Sequence, residues 1–121
     1  MSHAMVVDDS TAVRMVISRN LVQLGYEVST AADGAEALTL LHAGISLILV
    51  DCNMPRMNGL EFVERLRADP RYASVKVMMV TTETEMELML KALAAGVDEY
   101  VIKPFTQESL ADKLRILGLM R

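Results

Sequence analysis

Three aspartates, a threonine and a lysine each stand just after a short apolar run. Asp8 and Asp9 follow AMVV, Asp51 follows LILV, Thr81 follows VMMV and Lys103 follows YVI. These are the groups that a phosphoryl transfer needs. A carboxylate can act as nucleophile, an ammonium balances phosphate charge, and a hydroxyl bonds a phosphate oxygen. Asp51, Lys103 and Thr81 fit those roles in turn. If Asp8, Asp9 and Asp51 meet in space, each pair of ionised carboxylates repels by roughly 4 kcal/mol at an effective dielectric of 20. A compensating cation is then required, and an oxygen-only donor set with room for water suits Mg2+. An aspartyl phosphate is a mixed anhydride that hydrolyses readily, so such a modification is temporary and suits a signal.

The elements that must bring these residues together alternate along the whole chain. Apolar runs of about four residues, rich in Val, Ile and Met, read as buried strands of a parallel sheet, and each is followed by a helical pattern. The reading is (βα)5, an α/β doubly wound parallel sheet. The strands fall at about residues 3–8, 26–30, 46–50, 76–80 and 99–102. The helices follow Ser10 or Thr11, Asp33, Asn58, about Glu83, and Thr106 with Ser109 nearby. Gly25, Gly44, Gly96 and Gly118 read as helix-end signals. Asn58-Gly59 could make a hairpin turn, but the helical period after it favours Asn58 as an N-cap. Met86, Met89, Leu90 and Leu93 read as the apolar stripe of the fourth helix. In open parallel sheets ligands bind beyond the carboxyl ends of the strands, where strand order reverses. The five chemical residues are expected to converge there.

With 121 residues and 52% hydrophobic content, the chain is expected to form one domain, residues 1–121, with no output domain. No apolar run approaches the roughly 18 residues that a membrane helix needs, and the N-terminus does not read as a signal peptide. A cytoplasmic protein is expected. Cys52 is the only cysteine, which excludes an internal disulfide and speaks against zinc chemistry. The net charge of −4, with no basic block, speaks against nucleic-acid binding.

The segments DDS, LVDCNMPRMNG, VMMVTTE and YVIKPF resemble, in order and over the entire chain, the receiver domain of bacterial two-component response regulators. Among these the chain is most similar to the chemotaxis type. The resemblance implies a flavodoxin/CheY-like fold with strand order 2-1-3-4-5. It implies Asp51 as phosphoacceptor, with Thr81 and Lys103 as the phosphate-sensing pair. Mg2+ would be bound by Asp9 and Asp51 directly, by Asp8 through water and by the backbone carbonyl of Asn53. A cis Lys103–Pro104 bond is implied, where sequence alone favours trans. Asn53 and Glu83 are expected to tune self-dephosphorylation, and Tyr100 to act with Thr81 in a switch read out by the fourth helix, fifth strand and fifth helix. The implied partners are a sensor histidine kinase and an output protein on that face. The flagellar motor switch is one candidate for the latter, and a phosphatase is a further candidate partner. A monomer is expected, with no enzymatic action beyond phosphorylation and dephosphorylation of itself.

Simpler readings compete at several positions. An acidic residue after a strand is usually a turn residue, and a lone Lys103 would read as a surface lysine. The ordered set of five is what separates the site from these. Thr82 competes with Thr81, and only the family spacing selects Thr81. Cys52 could be a redox sensor, but strand alternation turns it away from Asp51. Met54 and Met57 read as loop filler, and His3 and His42 as ordinary. Glu83, Glu85 and Glu87 suit the start of a helix electrostatically. The fourth helix carries only Lys91 as a cation, unlike the more basic start in the enteric chemotaxis protein, which bears on motor binding. Other outcomes are a phosphorelay intermediate or phosphate sink serving a histidine phosphotransfer domain, or a pseudo-receiver that binds partners unphosphorylated. A phosphatase with an aspartyl nucleophile would have a second Asp where this chain has Asn53, and a flavin carrier would lack the acids of DDSTA.

Overall fold

In the computed structural model, which describes residues 2–54 and 57–120 apart from the side chains of Glu83 and Met86, strands and helices alternate throughout. The elements are β1 (His3–Val7), α1 (Thr11–Gln23), β2 (Glu27–Ala31), α2 (Gly34–Leu40) and β3 (Ile45–Asp51). They continue with α3 (Gly59–Arg67), β4 (Lys76–Thr81), α4 (Met86–Ala95), β5 (Glu99–Ile102) and α5 (Gln107–Ile116). All strand pairs are parallel, in the order β2-β1-β3-β4-β5. The order reverses between β1 and β3, so a crevice opens at their carboxyl ends.

The continuous apolar runs are explained by two cores, one on each face of the sheet. Met5, Val7, Ile48, Val50, Val77 and Met79 point to one face and pack with Ala37 of α2, Phe62 and Leu66 of α3, and Met89 and Ala92 of α4. Their neighbours Ala4, Val6, Leu47, Leu49, Met78 and Val80 point to the other and meet Ile17 and Leu21 of α1 and Leu110 and Leu114 of α5. Alternate side chains of one strand thus enter opposite cores, and neither face tolerates a polar residue.

Local signals set the helix starts. Ser10, Asp33 and Asn58 each accept a backbone N–H three residues on, and Thr106 with Ser109 forms a reciprocal capping box. Gly96 ends α4 at φ +117°, a left-handed conformation that other residues adopt only with strain.

Two expectations need correction. Gly44 does not close the second helix. α2 stops at Leu40 with Leu41 already extended, and Gly44 lies in the following turn, where its N–H donates to His42 Nδ1 at 3.0 Å. The stripe on α4 is also different, with Leu90 and Leu93 exposed at 73% and 42% while Met89 and Ala92 are buried. The small Ala92 is the residue that meets the core, which turns the larger leucines beside it outward. The side chain of Met86 lies outside the described residues.

At the amino ends of β4 and β5, an ion pair knits three segments together. Arg67 Nη2 lies 2.9 Å from Asp98 Oδ2, which also accepts the Val77 N–H at 2.8 Å. The rest of the guanidinium donates to the carbonyls of Gly96, Tyr72 and Ala73. Each of the three guanidinium nitrogens thus has an acceptor. Among the described residues no helix is long and apolar enough to cross a membrane.

Candidate functional site

The chain places Asp8 one residue beyond β1 and Asp51 at the end of β3, on the two strands that flank the reversal of strand order. Asp8 is 1% and Asp51 6% exposed, while Asp9 faces solvent. One oxygen from each of the three carboxylates lies within 4.8 Å of the others. Asp8 is fixed from both sides. Its Oδ1 accepts the Ser10 N–H at 2.8 Å and its carbonyl accepts Arg14 Nη1 at 2.6 Å.

Lys103 arrives from β5, where its N–H donates to the Thr81 carbonyl at 2.7 Å and its peptide bond to Pro104 is cis. Its ammonium stands 3.5 Å from Asp8 and 3.4 Å from Asp51. These contacts are long for charge-assisted hydrogen bonds, so the lysine serves two carboxylates without holding either closely.

The electrostatics of the cluster follow from that arrangement. Burial, and then the charge of Asp8, pushes the Asp51 carboxyl up to about 6, although Lys103 and the Asn53 backbone N–H pull it down. For Lys103, burial works against the charged form, but the Asp51 and Asp8 carboxylates outweigh it and raise its pKa. One ammonium against three carboxylates leaves a local excess of negative charge carried by oxygen donors. Such a set fits a hard divalent cation of the magnesium type.

Thr81 ends β4 and is fully buried, whereas the side chain of Thr82 is bound to the carboxylate of Glu85 at 2.8 Å. The two threonines that sequence left as competitors thus differ in surroundings, and neither hydroxyl is bonded to the acidic cluster among the described contacts. The Thr81 hydroxyl donates to the Thr82 carbonyl at 3.2 Å and has Cys52 Sγ 3.5 Å away. Cys52 is buried, and burial pushes its thiol up to about 12, which keeps it protonated and poorly nucleophilic. Burial acts to raise Glu85 too, but hydrogen bonds from Cys52 and Thr82, with the charge of Lys103, hold its carboxyl below the usual range.

Asn53 is exposed beside the acceptor, and its backbone N–H bonds the Asp51 carboxylate. Glu83 begins a short 3-10 turn, Glu83–Glu85, before α4, and its side chain lies outside the described residues. Tyr100 is half-buried on β5. Lys113 Nζ sits 4.6 Å above its ring, and an open groove of about 410 Å³ runs past Tyr100, Ile102, Phe105 and Lys113. Met54 is a core residue and Met57 packs against Gly34. Both are packing rather than loop filler.

Gly59 is a site residue that sequence reading gave no role of its own. A Cβ there would lie 2.5 Å from the Asp51 carbonyl oxygen and 2.9 Å from Cys52 Cα, and its N–H donates to the Cys52 carbonyl at 3.2 Å. α3 starts against the backbone of the acceptor, and only glycine allows that approach. The available signal was the Asn-Gly pair itself, which reads as a turn when its neighbours in space are unknown.

Comparison with known proteins gives four concordant findings. The response regulator receiver domain family matches residues 4–115. The chemotaxis protein CheY1 of Helicobacter pylori is 42% identical over 116 residues, which cover 93% of this chain and 94% of that one. The crystal structure of the chemotaxis response regulator CheY4 of Vibrio cholerae, at 39% identity, superposes with a TM-score of 0.88 over 97% of this chain and 98% of that one. The receiver domain of the sensor histidine kinase PA1611 from Pseudomonas aeruginosa, with a magnesium ion coordinated in its active site cleft, shares 27% identity with a TM-score of 0.85 over 97% and 98% of the two chains.

Proposed function

The chain belongs to the response regulator receiver family, and from that premise we propose that it accepts a phosphoryl group on Asp51 from a sensor histidine kinase in a chemotaxis pathway. The observation that carries this reading is the Lys103 ammonium standing between Asp8 and Asp51, at 3.5 and 3.4 Å, over an acidic cluster that it cannot neutralise.

In this reading Asp51 attacks the phosphorus of a phosphohistidine, the P–N bond breaks as the P–O bond forms, and the imidazole leaves with its electron pair. Lys103 follows the charge from carboxylate to phosphoryl oxygen. Thr81 supplies a hydroxyl to a second phosphoryl oxygen. Asp8, Asp9, Asp51 and the Asn53 carbonyl are the groups that would hold a magnesium ion, with Asp8 acting through water. When bound, the ion supplies the positive charge that offsets the incoming phosphoryl group. Hydrolysis returns Asp51 to its resting state, and Asn53 and Glu83 are the residues taken to tune its rate.

The addition of roughly 1.5 to 2 negative charges shifts the protein only as far as its two conformations differ in interaction with them. We take Thr81 and Tyr100 as the switch, and the face formed by α4, β5 and α5 as the readout for an output protein such as the flagellar motor switch. On this reading residues 1–121 act as one receiver unit in the cytoplasm, and the chemistry is confined to the protein itself.

The test is intact-protein mass after incubation with acetyl phosphate, with and without magnesium. Gain of one labile phosphoryl group in wild type, lost without magnesium and reduced at least 100-fold in Asp51→Asn, is expected. Wild type that gains nothing would leave a binding module whose acids are structural.

A further inference from the structure

The turn between β4 and α4 is tied to the acceptor strand by side chains that the phosphoryl chemistry does not use. Glu85 is the hub. Its Oε1 accepts the Thr82 hydroxyl at 2.8 Å and the Thr82 N–H at 3.3 Å, while its Oε2 lies 3.0 Å from Cys52 Sγ. Cys52 directly follows β3 and Glu85 directly precedes α4, so this one contact joins the two elements across 33 positions.

The thiol has a single proton and two possible acceptors. The carboxylate at 3.0 Å outcompetes the Thr81 hydroxyl oxygen at 3.5 Å, being both closer and charged. The Thr81 proton in turn goes to the Thr82 carbonyl at 3.2 Å. That carbonyl also accepts the Glu85 N–H at 3.1 Å, so release of the Thr81 hydroxyl orphans no buried acceptor. Any displacement of Thr81 is nonetheless passed to Thr82, whose amide and hydroxyl are both held by Glu85.

We propose that Cys52 and Glu85 are positioning residues. Their hydrogen bond clamps the β4–α4 turn to the end of β3, keeps the Thr81 hydroxyl on the Thr82 carbonyl in the resting protein, and loosens when Thr81 turns to a phosphoryl oxygen on Asp51. The loosening step rests on the reading of Asp51 as phosphoacceptor, whereas the resting clamp does not. Cys52 then matters as a hydrogen-bond donor, not as a redox group.

The chain has one cysteine, so the infrared S–H stretch reports Cys52 alone. In resting wild type the band is expected at the low frequency of a thiol bonded to a carboxylate. It should move up in Glu85→Gln, and again in wild type loaded with acetyl phosphate and magnesium. The maximal rate of phosphoryl uptake should rise about two- to tenfold in Cys52→Ala and Glu85→Gln, at unchanged half-saturating acetyl phosphate, with Cys52→Ser within about twofold of wild type. A band at the free-thiol frequency in resting protein, or one that Glu85→Gln leaves in place, overturns the clamp. So do rates within twofold of wild type in both variants. Glu85→Gln preserves shape and reads the clamp even if Cys52→Ala folds poorly. Wild type that never takes up phosphate, with the resting band and its Glu85→Gln shift as expected, would refute the role of Asp51 and the loosening step while the resting clamp stands.

Discussion

The two ends of the sheet handle charge in opposite ways. At the amino ends of β4 and β5, Arg67 and Asp98 sit 2.9 Å apart, with further hydrogen bonds to Val77, Gly96, Tyr72 and Ala73. At the carboxyl ends, Asp8 and Asp51 share one lysine at 3.5 and 3.4 Å with Asp9 beside them, and Asp51 is pushed up to about 6. The first arrangement is satisfied and serves the fold. The second is left short of positive charge, and a site that must receive both a cation and a phosphoryl group has to be left so.

The contrast is broken or sharpened most strongly by pH. Asp51 has a folded-state pKa of about 6 against an ordinary 3.8, so between those values the folded chain binds a proton that the unfolded chain does not. Stability contributed by protonated Asp51 is therefore full below about 4 and is lost as pH rises to about 6, a change of about 3 kcal/mol. Urea unfolding in EDTA should show this loss in wild type relative to Asp51→Asn, and magnesium at pH 7 should restore much of it. The variant is the needed control, because Glu85, held below its usual range, acts in the opposite direction as pH falls. Parallel pH profiles in the two proteins would mean that the acidic end is not strained.

Substitution at the two cations is expected to separate fold from function. Arg67→Met removes the ion-pair partner of Asp98 and the donor to three carbonyls, and should cost about 1 to 2 kcal/mol in urea unfolding while phosphoryl uptake stays within twofold. Lys103→Met should cost under about 1 kcal/mol at pH 4, where the raised pKa of Asp51 keeps its carboxyl largely protonated, yet impair the phosphorylated state. Equal stability losses would erase the distinction between the ends. The smallest expected effect is at Asn53, where alanine should slow loss of phosphate by about threefold, with a comparable change in Glu83→Ala. Unchanged decay in both would remove them from the hydrolytic step.

The readable parts of the sequence were those with local causes. Ser10, Asn58 and Thr106 could be recognised as caps because a cap bonds its own helix, and the strands could be recognised because both of their faces are buried. The convergence of Asp8, Asp9, Asp51 and Lys103 was readable from where they stood relative to those strands. Gly59 and Glu85 were not, because their roles depend on contacts with the end of β3, 33 positions away in the case of Glu85. The face of α4 was misread for a related reason. Leu90 and Leu93 carry the apolar signal, but the buried face includes Ala92, too small to stand out in a pattern.

The strand order also gives the acidic end an uneven clock. Asp51 rides on β3, paired on both sides, whereas Lys103 follows β5, a four-residue edge strand paired only with β4. Amides of Ile48 to Val50 should exchange with solvent deuterium only when the whole molecule opens, and those of β5 through smaller, more frequent openings. In each such opening the cluster would lose its lysine and keep its carboxylates, so the anionic half of the site outlasts the cationic half.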